Sequence, residues 1–343
     1  MNKFQGMLFF QWLNLKVNKQ ELISKQVKAN TILLLTASIW GFTFVVQRAS
    51  MEHVGPYLFN ALRFMLGTLA LVPIRLYFKN RMPRFKHTPL STTLKCGFFA
   101  GIVIFAGASF QQVGLMTTTA GKSGFITGLY VIIVPMIGIF LGNYSEPNTW
   151  IGAMFSTIGL YFLCMTESLT ISWGDTLTLF CAVCFALHVV LISIFSQKND
   201  PILLSMVQFA VCAILSLIVA VSIEPMNVDK ILIAGPGICF CGFFSVGIGY
   251  TLQVVGQLNA NPTHAAIILC LEGVFAALCG WLFLNEQMSS KAMLGAGLMF
   301  SGMIISHFKF RRTHFRFTLL YLIVYKFINS LFLMNYYLTL PNA

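Results

Sequence analysis

Apolar runs of about 20 residues recur along most of this chain of 343 residues, and they constrain its fold more than any other feature. Each run is long enough for a helix to cross about 30 Å of hydrocarbon. Apolar residues make up 57% of the chain and charged residues only 9%, too few to give a core of this size a water-facing surface. The sequence therefore predicts an all-α polytopic membrane protein.

Ten transmembrane helices are predicted, separated by loops that are too short to fold as a catalytic domain in water. Residues 1–29 form an N-terminal segment, either an amphipathic helix at the membrane interface or an extended start with no role. The tail 309–343 is basic and then apolar, and it is either a further spanning or interfacial helix or an added extension. The predicted helices cover residues 30–49, 57–78, 95–115, 122–142, 148–166, 175–196, 202–222, 231–255, 263–284 and 291–308.

The distribution of positive charge predicts the orientation of these helices. With the N-terminus inside, 16 of the 22 Lys and Arg residues lie in cytoplasmic segments and only 4 at the outer ends of helices. Because cytoplasmic loops carry an excess of Lys and Arg, both ends of the ten-helix core are expected to face the cytoplasm. The same distribution argues against nucleic-acid binding despite the net charge of +12, since the basic residues do not form one folded face.

A Gly-Lys-Ser triplet at 121–123 resembles the end of a phosphate-binding loop, but its context is wrong. Such a loop has another glycine five residues before the second one, and that position is Met116. No strand precedes the triplet, so we interpret residues 121–124 as a tight turn that opens the fourth helix. No cofactor and no metal site are predicted.

The two halves of the chain resemble each other. "PYLFNALRF" (56–64) aligns with "PILLSMVQF" (201–209) at an offset of 145 residues, and "QQVG" (111–114) aligns with "QVVG" (253–256) at 142. Because each half holds five predicted helices, an odd number, the second half enters the membrane inverted. We therefore predict two inverted five-helix repeats, over 30–166 and 175–308.

Three stretches resemble the EamA-type family of the drug/metabolite transporter superfamily. "ASIWGFTFVVQR" (37–48), "AGKSGFITGLYVIIVP" (120–135) and "LCLEGVFAALCGWLFLNE" (269–286) look like its first, fourth and ninth helices. Gly273 replaces a proline that is common in the family, and Asn143 stands where the first repeat would carry the counterpart of the acid Glu286. The resemblance implies export of amino acids, other metabolites or drugs, and it does not name a substrate.

Charged side chains inside a membrane cost about 2.5–3.5 kcal/mol each on insertion scales, so they are candidates for function. Glu272 lies near mid-depth in the ninth helix and is expected to bind a proton or a cationic group. Arg63 is a candidate for binding a carboxylate, with an ion pair to Glu272 or a position at the interface as alternatives. His188 is a weaker candidate, because a buried histidine is more often a packing residue.

Polar and aromatic companions complete the candidate site. Trp40 is expected to form a cavity wall, and Pro135 a hinge or a static kink in the fourth helix. The companions are Trp40, Asn60, Gln111, Tyr130 and Gln253. Gln111 and Gln253 are expected to line a pathway, with hydrogen bonding between helices as the alternative role.

These features predict a secondary transporter, not an enzyme, that exports a small molecule across a bacterial inner membrane. Its partners would be a small-molecule substrate, the lipid bilayer and a candidate proton gradient, with a homodimer left open. The alternatives are an integral membrane enzyme, which lacks support from any metal or triad motif, and a non-transporting assembly subunit.

Overall fold

The structure is a computed structural model, and it describes residues 3–78, 88–118, 120–142, 145–164, 172–284 and 289–307. Every regular element among these residues is helical, which confirms the predicted all-α class. Glu286, Asn143, most of the basic loop 79–94 and the tail 309–343 lie outside the described residues.

The helices follow one another with short connections. A π-helical segment, Cys241–Tyr250, lies between α9 and α10. The α-helices of the described ranges are α1 (Lys3–Ser50), α2 (Pro56–Phe78), α3 (Leu90–Leu115), α4 (Ala120–Gly128), α5 (Tyr130–Phe140), α6 (Pro147–Cys164), α7 (Trp173–Phe195), α8 (Pro201–Ile223), α9 (Val228–Phe240), α10 (Thr251–Gln257), α11 (Pro262–Leu269), α12 (Glu272–Leu284) and α13 (Ser290–His307).

Seven helical segments in the described part of the chain are long and apolar enough to cross a membrane. Large apolar side chains on their outer faces are exposed, for example Leu69, Phe140 and Leu232, as expected for surfaces that meet lipid. The chain is therefore a multi-pass membrane protein. The seven segments are Pro56–Phe78, Leu90–Leu115, Ser123–Phe140, Trp173–Phe195, Pro201–Ile223, Val228–Gln257 and Pro262–Cys279.

The three other predicted spans are helical but are not among those seven. They coincide with the second half of α1, with α6 and with α13. The count of ten therefore stays a prediction. Helix α1 begins at Lys3 and continues into the first predicted span without interruption, and both predicted roles of the N-terminal segment stay predictions.

The Gly-Lys-Ser segment is not the predicted turn, since residues 121–124 lie within helix α4. Gly142 is the one glycine with a positive φ that the described ranges contain, so the backbone at 121–124 needs no left-handed residue. A helix also satisfies the backbone N–H and C=O groups internally, which an apolar environment demands.

Two predicted helices, the fourth and the ninth, are each divided in the structure by a tight step. The Leu129 N–H donates to the Ile126 carbonyl oxygen at 3.2 Å, which separates α4 from α5. The Leu271 N–H donates to the Ile268 carbonyl oxygen at 3.1 Å, which separates α11 from α12. These bonds span three residues, as in a 3₁₀ turn, and such turns inside helices often mark functional hinges. The steps place Tyr130 and Glu272 at the start of α5 and α12.

Helices α2 and α8, which pack against each other, are capped in different ways at their N-termini. Asp200 caps its own helix α8, since its Oδ1 accepts hydrogen bonds from the Ile202 and Leu203 N–H groups. Helix α2 has Gly55 in the corresponding position, and the remote Glu224 caps it instead. The two Glu224 carboxylate oxygens accept from Tyr57 N–H at 2.9 Å and from Leu58 N–H at 2.7 Å.

Candidate functional site

A cavity lies among α1, α2, α3, α5, α7, the π-helical segment and α10 to α12, and about 510 Å³ of it, including its open mouth, is free of protein atoms. Seven of the eight predicted polar and aromatic candidates line this cavity, although they come from seven different helices. They are Trp40, Arg63, Gln111, Tyr130, His188, Gln253 and Glu272.

The acidic end of the cavity is formed where the two stepped helices meet. Glu272 is the first residue of α12 and is only partly buried, because it borders the cavity. The hydroxyl of Tyr130, the first residue of α5, lies beside the Glu272 carboxyl group. The partial positive charge of a helix N-terminus favours a carboxylate at this position, whereas burial among helices opposes the charge. The two effects therefore act in opposite directions on the Glu272 carboxylate.

Gly41 on α1 allows the Glu272 backbone to come close. A Cβ atom at position 41 would lie 2.6 Å from the Glu272 carbonyl oxygen and 2.6 Å from Phe275 Cβ, which are both too short. Glycine at 41 therefore lets α1 pack directly against the first turn of α12, beside Trp40 in the cavity wall.

The basic end of the cavity is formed by Arg63, which is 2% exposed. Its Nε donates to Asn60 Oδ1 at 3.0 Å, and its Nη1 donates to Gln47 Oε1 at 2.7 Å. Gln47 Oε1 also accepts from Gln112 Nε2 at 2.5 Å. The predicted alternative of an ion pair with Glu272 is wrong, because no ion pair of the described residues includes Arg63.

Aromatic rings form the wall between the two charged ends. The centroids of Trp40 and Tyr250 are 4.6 Å apart, and Trp40 Nε1 donates to the Ser245 carbonyl oxygen at 3.2 Å. His188 lies edge-on to Tyr250 at 6.1 Å, and its Nε2 is 2.8 Å from Gln208 Oε1. His188 is thus a hydrogen-bonded packing residue that also borders the cavity.

Two predicted site residues lie apart from the cavity lining. Asn60 does not line the cavity itself, and it acts on the site through its hydrogen bond to Arg63. Pro135 is buried inside α5, six residues beyond the helix step at Leu129. No observation assigns a hinge role to Pro135.

Sequence reasoning missed six lining residues. Three of them are apolar, Phe185, Val189 and Leu269, and three carry polar atoms, Gln47, Ser245 and Tyr250. Gln47 carried a usable signal, because it is a polar side chain in an apolar run. Its neighbour Arg48, however, made this position resemble the end of the helix. Ser245 and Tyr250 lie in or at the end of the π-helical segment, where the spacing of a regular α-helix gives the wrong face.

The arrangement suits binding of a small polar molecule more than covalent chemistry. A buried cation and an acid border the same cavity, which aromatic side chains line as well, and no ion pair of the described residues joins the two. Within the described ranges, no group of three His, Cys, Asp or Glu residues could hold a metal ion.

Fold and site together define a multi-pass helical membrane protein with a central polar cavity. A model of the EamA-like transporter family matches the chain twice, over residues 27–165 and 172–308. The chain therefore belongs to the EamA-like transporter family, as the sequence resemblance predicted, and the family makes it a membrane transporter.

Similar proteins agree with this assignment. An uncharacterized transporter of Archaeoglobus fulgidus is 33% identical over 285 residues, which cover 82% of this chain and 86% of that protein. A WAT1-related chloroplastic protein of Arabidopsis thaliana is 21% identical over 81% of this chain and 69% of its own length. A solved structure, described only as a crystal structure of a protein, shares the fold with a TM-score of 0.67. It is 18% identical, and the match covers 81% of this chain and 96% of that one.

Proposed function

We propose that the protein is a secondary active transporter that exports a small metabolite, such as an amino acid or a drug, across the bacterial inner membrane. The observation that carries the proposal is Glu272, an acid at a helix step that borders a cavity buried among membrane helices. An ionisable residue inside a membrane protein is costly and marks a substrate or proton path by default.

We further propose that the chain consists of two inverted five-helix repeats. An offset of 142 residues, the one that aligns "QQVG" with "QVVG", also relates Tyr130 to Glu272 and the step at Leu129 to the step at Leu271. Interrupted helices at matching places in two halves are typical of transporters whose binding site lies near the midplane.

Close contacts between helices support the same repeat. A Cβ at Gly114 would lie 3.0 Å from the Gly174 carbonyl oxygen, and a Cβ at Gly256 would lie 3.3 Å from the Ala29 carbonyl oxygen. The alignment pairs Gly114 with Gly256 and, through its offset of 145, Gly174 with Ala29. One contact is therefore the repeat equivalent of the other.

Helices α6 and α13 are proposed to brace the transporter or to form a dimer contact. They approach at Gly152, where a Cβ would lie 2.6 Å from the Gly302 carbonyl oxygen, and at Gly159, where it would lie 2.5 Å from that of Gly295. The repeat alignment pairs Gly152 with Gly295 and Gly159 with Gly302, so each of the two contacts is the repeat equivalent of the other. Small residues allow such close packing between membrane helices.

Transport then proceeds by alternating access, in which the two repeats exchange conformations around the cavity. Glu272 would take up a proton from the more acidic outer side, and release it to the cytoplasm when the cavity opens inward. Coupling the outward movement of substrate to this inward proton movement allows accumulation against a gradient.

The experiment is transport by the purified protein in liposomes with an imposed pH gradient, measured with a mixture of tritiated amino acids. Glu272→Gln keeps the size and the hydrogen bonding of the side chain, and we expect it to abolish gradient-driven accumulation. Glu52→Gln, at an exposed position outside the cavity, is the matched control. Wild-type rate and pH dependence in Glu272→Gln would move the coupling role elsewhere, with His188 as the next candidate.

A further inference from the structure

We propose that the transported molecule carries a carboxylate group and that Arg63 binds it. The proposal rests on the proposed function, because the site is the same cavity, and it adds the chemical class of the substrate. It follows from how the guanidinium group is held and from which charges surround it.

The Arg63 guanidinium is fixed in place before any substrate arrives. It is held by Asn60 Oδ1 on Nε and by Gln47 Oε1 on Nη1, and Gln112 in turn fixes Gln47. The rings of Phe59 and Phe64 lie 5.2 and 5.1 Å from the guanidinium carbon. A group that is already oriented loses little entropy when a ligand binds.

Among the residues that the structure describes, no carboxylate forms an ion pair with Arg63. Its two hydrogen-bond acceptors are neutral amides, and the ion pairs of the described residues, Lys25 with Glu21 and Arg75 with Asp200, do not include it. The neighbouring aromatic faces compensate only a small part of a buried charge. A buried cation without an anion is costly, so this site is completed when an anion binds.

Hydrogen-bond donors also remain at this end of the cavity. A guanidinium has five N–H donors. Two of those on Arg63 are used, which leaves donors on both Nη1 and Nη2 without an acceptor among the residues that the structure describes. Two parallel N–H groups on one guanidinium match the two oxygens of a carboxylate.

A doubly charged phosphate fits this site less well than a carboxylate. Arg63 is the single Lys or Arg among the cavity-lining residues, and Glu272 lines the same cavity and would repel a second negative charge. The carboxylate could belong to an α-amino acid, whose ammonium group Glu272 would face, or to a simple organic acid.

Three probes that share one carbon skeleton distinguish an α-amino acid from a simple organic acid as the source of the carboxylate. L-Leucine carries both charged groups, 4-methylpentanoate lacks the ammonium group, and 3-methylbutylamine lacks the carboxylate. Binding is measured as the ligand-induced rise in the thermal unfolding midpoint of the purified full-length protein in detergent, at probe concentrations up to about 10 mM. Stabilisation by leucine alone identifies an amino-acid site, and stabilisation by both carboxylates identifies an organic-acid site.

The decisive variant is Gln47→Glu. It is nearly isosteric and still accepts hydrogen bonds from Arg63 and Gln112, but it supplies the missing negative charge from within the protein. We expect it to fold and to weaken carboxylate binding by about 10- to 100-fold, as does Arg63→Gln. Arg75→Gln, which makes the same change at an arginine outside the cavity lining, should bind like the wild type.

The proposal is overturned if neither carboxylate stabilises the wild type, if the amine does so as well as leucine, or if Gln47→Glu binds carboxylates normally. The assay needs no gradient, so its outcome is separate from transport. Binding that depends on Arg63 without transport would contradict only the proposed function. Transport of a molecule that does not need Arg63 would contradict only this proposal.

Discussion

Single residues determine the chemistry of the cavity, and Gly41 shows how narrow the tolerance is. Its backbone lies against the first turn of α12, so the position of Glu272 depends on the absence of a side chain at 41. Tight packing of this kind transmits a change of one methyl group to the neighbouring element.

Gly41→Ala is expected to destabilise the protein by about 1–3 kcal/mol, because the new methyl group would overlap the Glu272 backbone. The measurement is thermal unfolding in detergent. Gly297→Ala is the control: nothing lies within 4 Å of its added Cβ, and alanine favours the helix by up to about 1 kcal/mol. Equal stability changes in the two variants would contradict the packing argument.

The charged candidate residues were predictable from the sequence, because a charge inside an apolar run is costly to bury in a membrane and is therefore rare there. Arg63 and Glu272 stood out as charges within apolar runs, and the structure brings both to one cavity. The way Arg63 is held was not predictable, because Gln47 accepts its hydrogen bond from a different helix. The sequence signal of a lone glutamine was too weak to assign it this role.

At the scale of elements, helix positions were predictable and helix interruptions were not. Hydrophobic length located the spans, and the steps at Leu129 and Leu271 lie inside segments that are each long and apolar enough to form one continuous span. Pro135, the visible helix breaker, lies six residues away from the step in its helix. The irregular stretches arise where helices pack around the cavity, which is tertiary information that local propensity does not contain.

The remote cap of α2 is another element-level feature that sequence proximity could not reveal. A Cβ at Gly55 would lie 2.2 Å from Glu224 Cδ. A capping side chain at position 55 would therefore collide with Glu224, so the distant cap requires glycine there. The contact ties the start of α2 to the end of α8, the helix that runs beside it.

Glu224→Ala is expected to cost about 1 kcal/mol, because the first N–H groups of α2 lose their acceptors. Amide hydrogen exchange at Tyr57 and Leu58 should become faster, while exchange in the middle of α2 should not change. The control is Glu52→Ala, which removes an exposed carboxylate near the start of the same helix. Unchanged exchange at Tyr57 and Leu58 would rule out the cap.

At the scale of the whole molecule, the charges of the chain predict its orientation in the membrane. Met116, which is exposed, directly follows the last residue of α3, and the exposed Lys198 lies in the connection between α7 and α8. The 16-to-4 distribution of Lys and Arg predicts that these two positions face opposite sides of the membrane.

In a background without native cysteines, a membrane-impermeant thiol reagent added to intact cells should label Met116→Cys and not Lys198→Cys. Permeabilising the cells should then allow labelling of Lys198→Cys, which shows that this position is reactive. The reverse pattern in intact cells would invert the predicted topology, with both ends of the core outside.

The proposed repeat places Tyr130 and Glu272 at equivalent positions, and their different chemistry affects the relative free energies of the inward-open and outward-open forms. Two identical repeats would make the inward-open and outward-open forms mirror each other, and their free energies would be equal. In the proposed repeats, one half supplies the acid and the other a phenol at the equivalent place, so that the two free energies would differ. We expect the empty transporter to rest mainly in one of the two forms, with external pH shifting the balance between them.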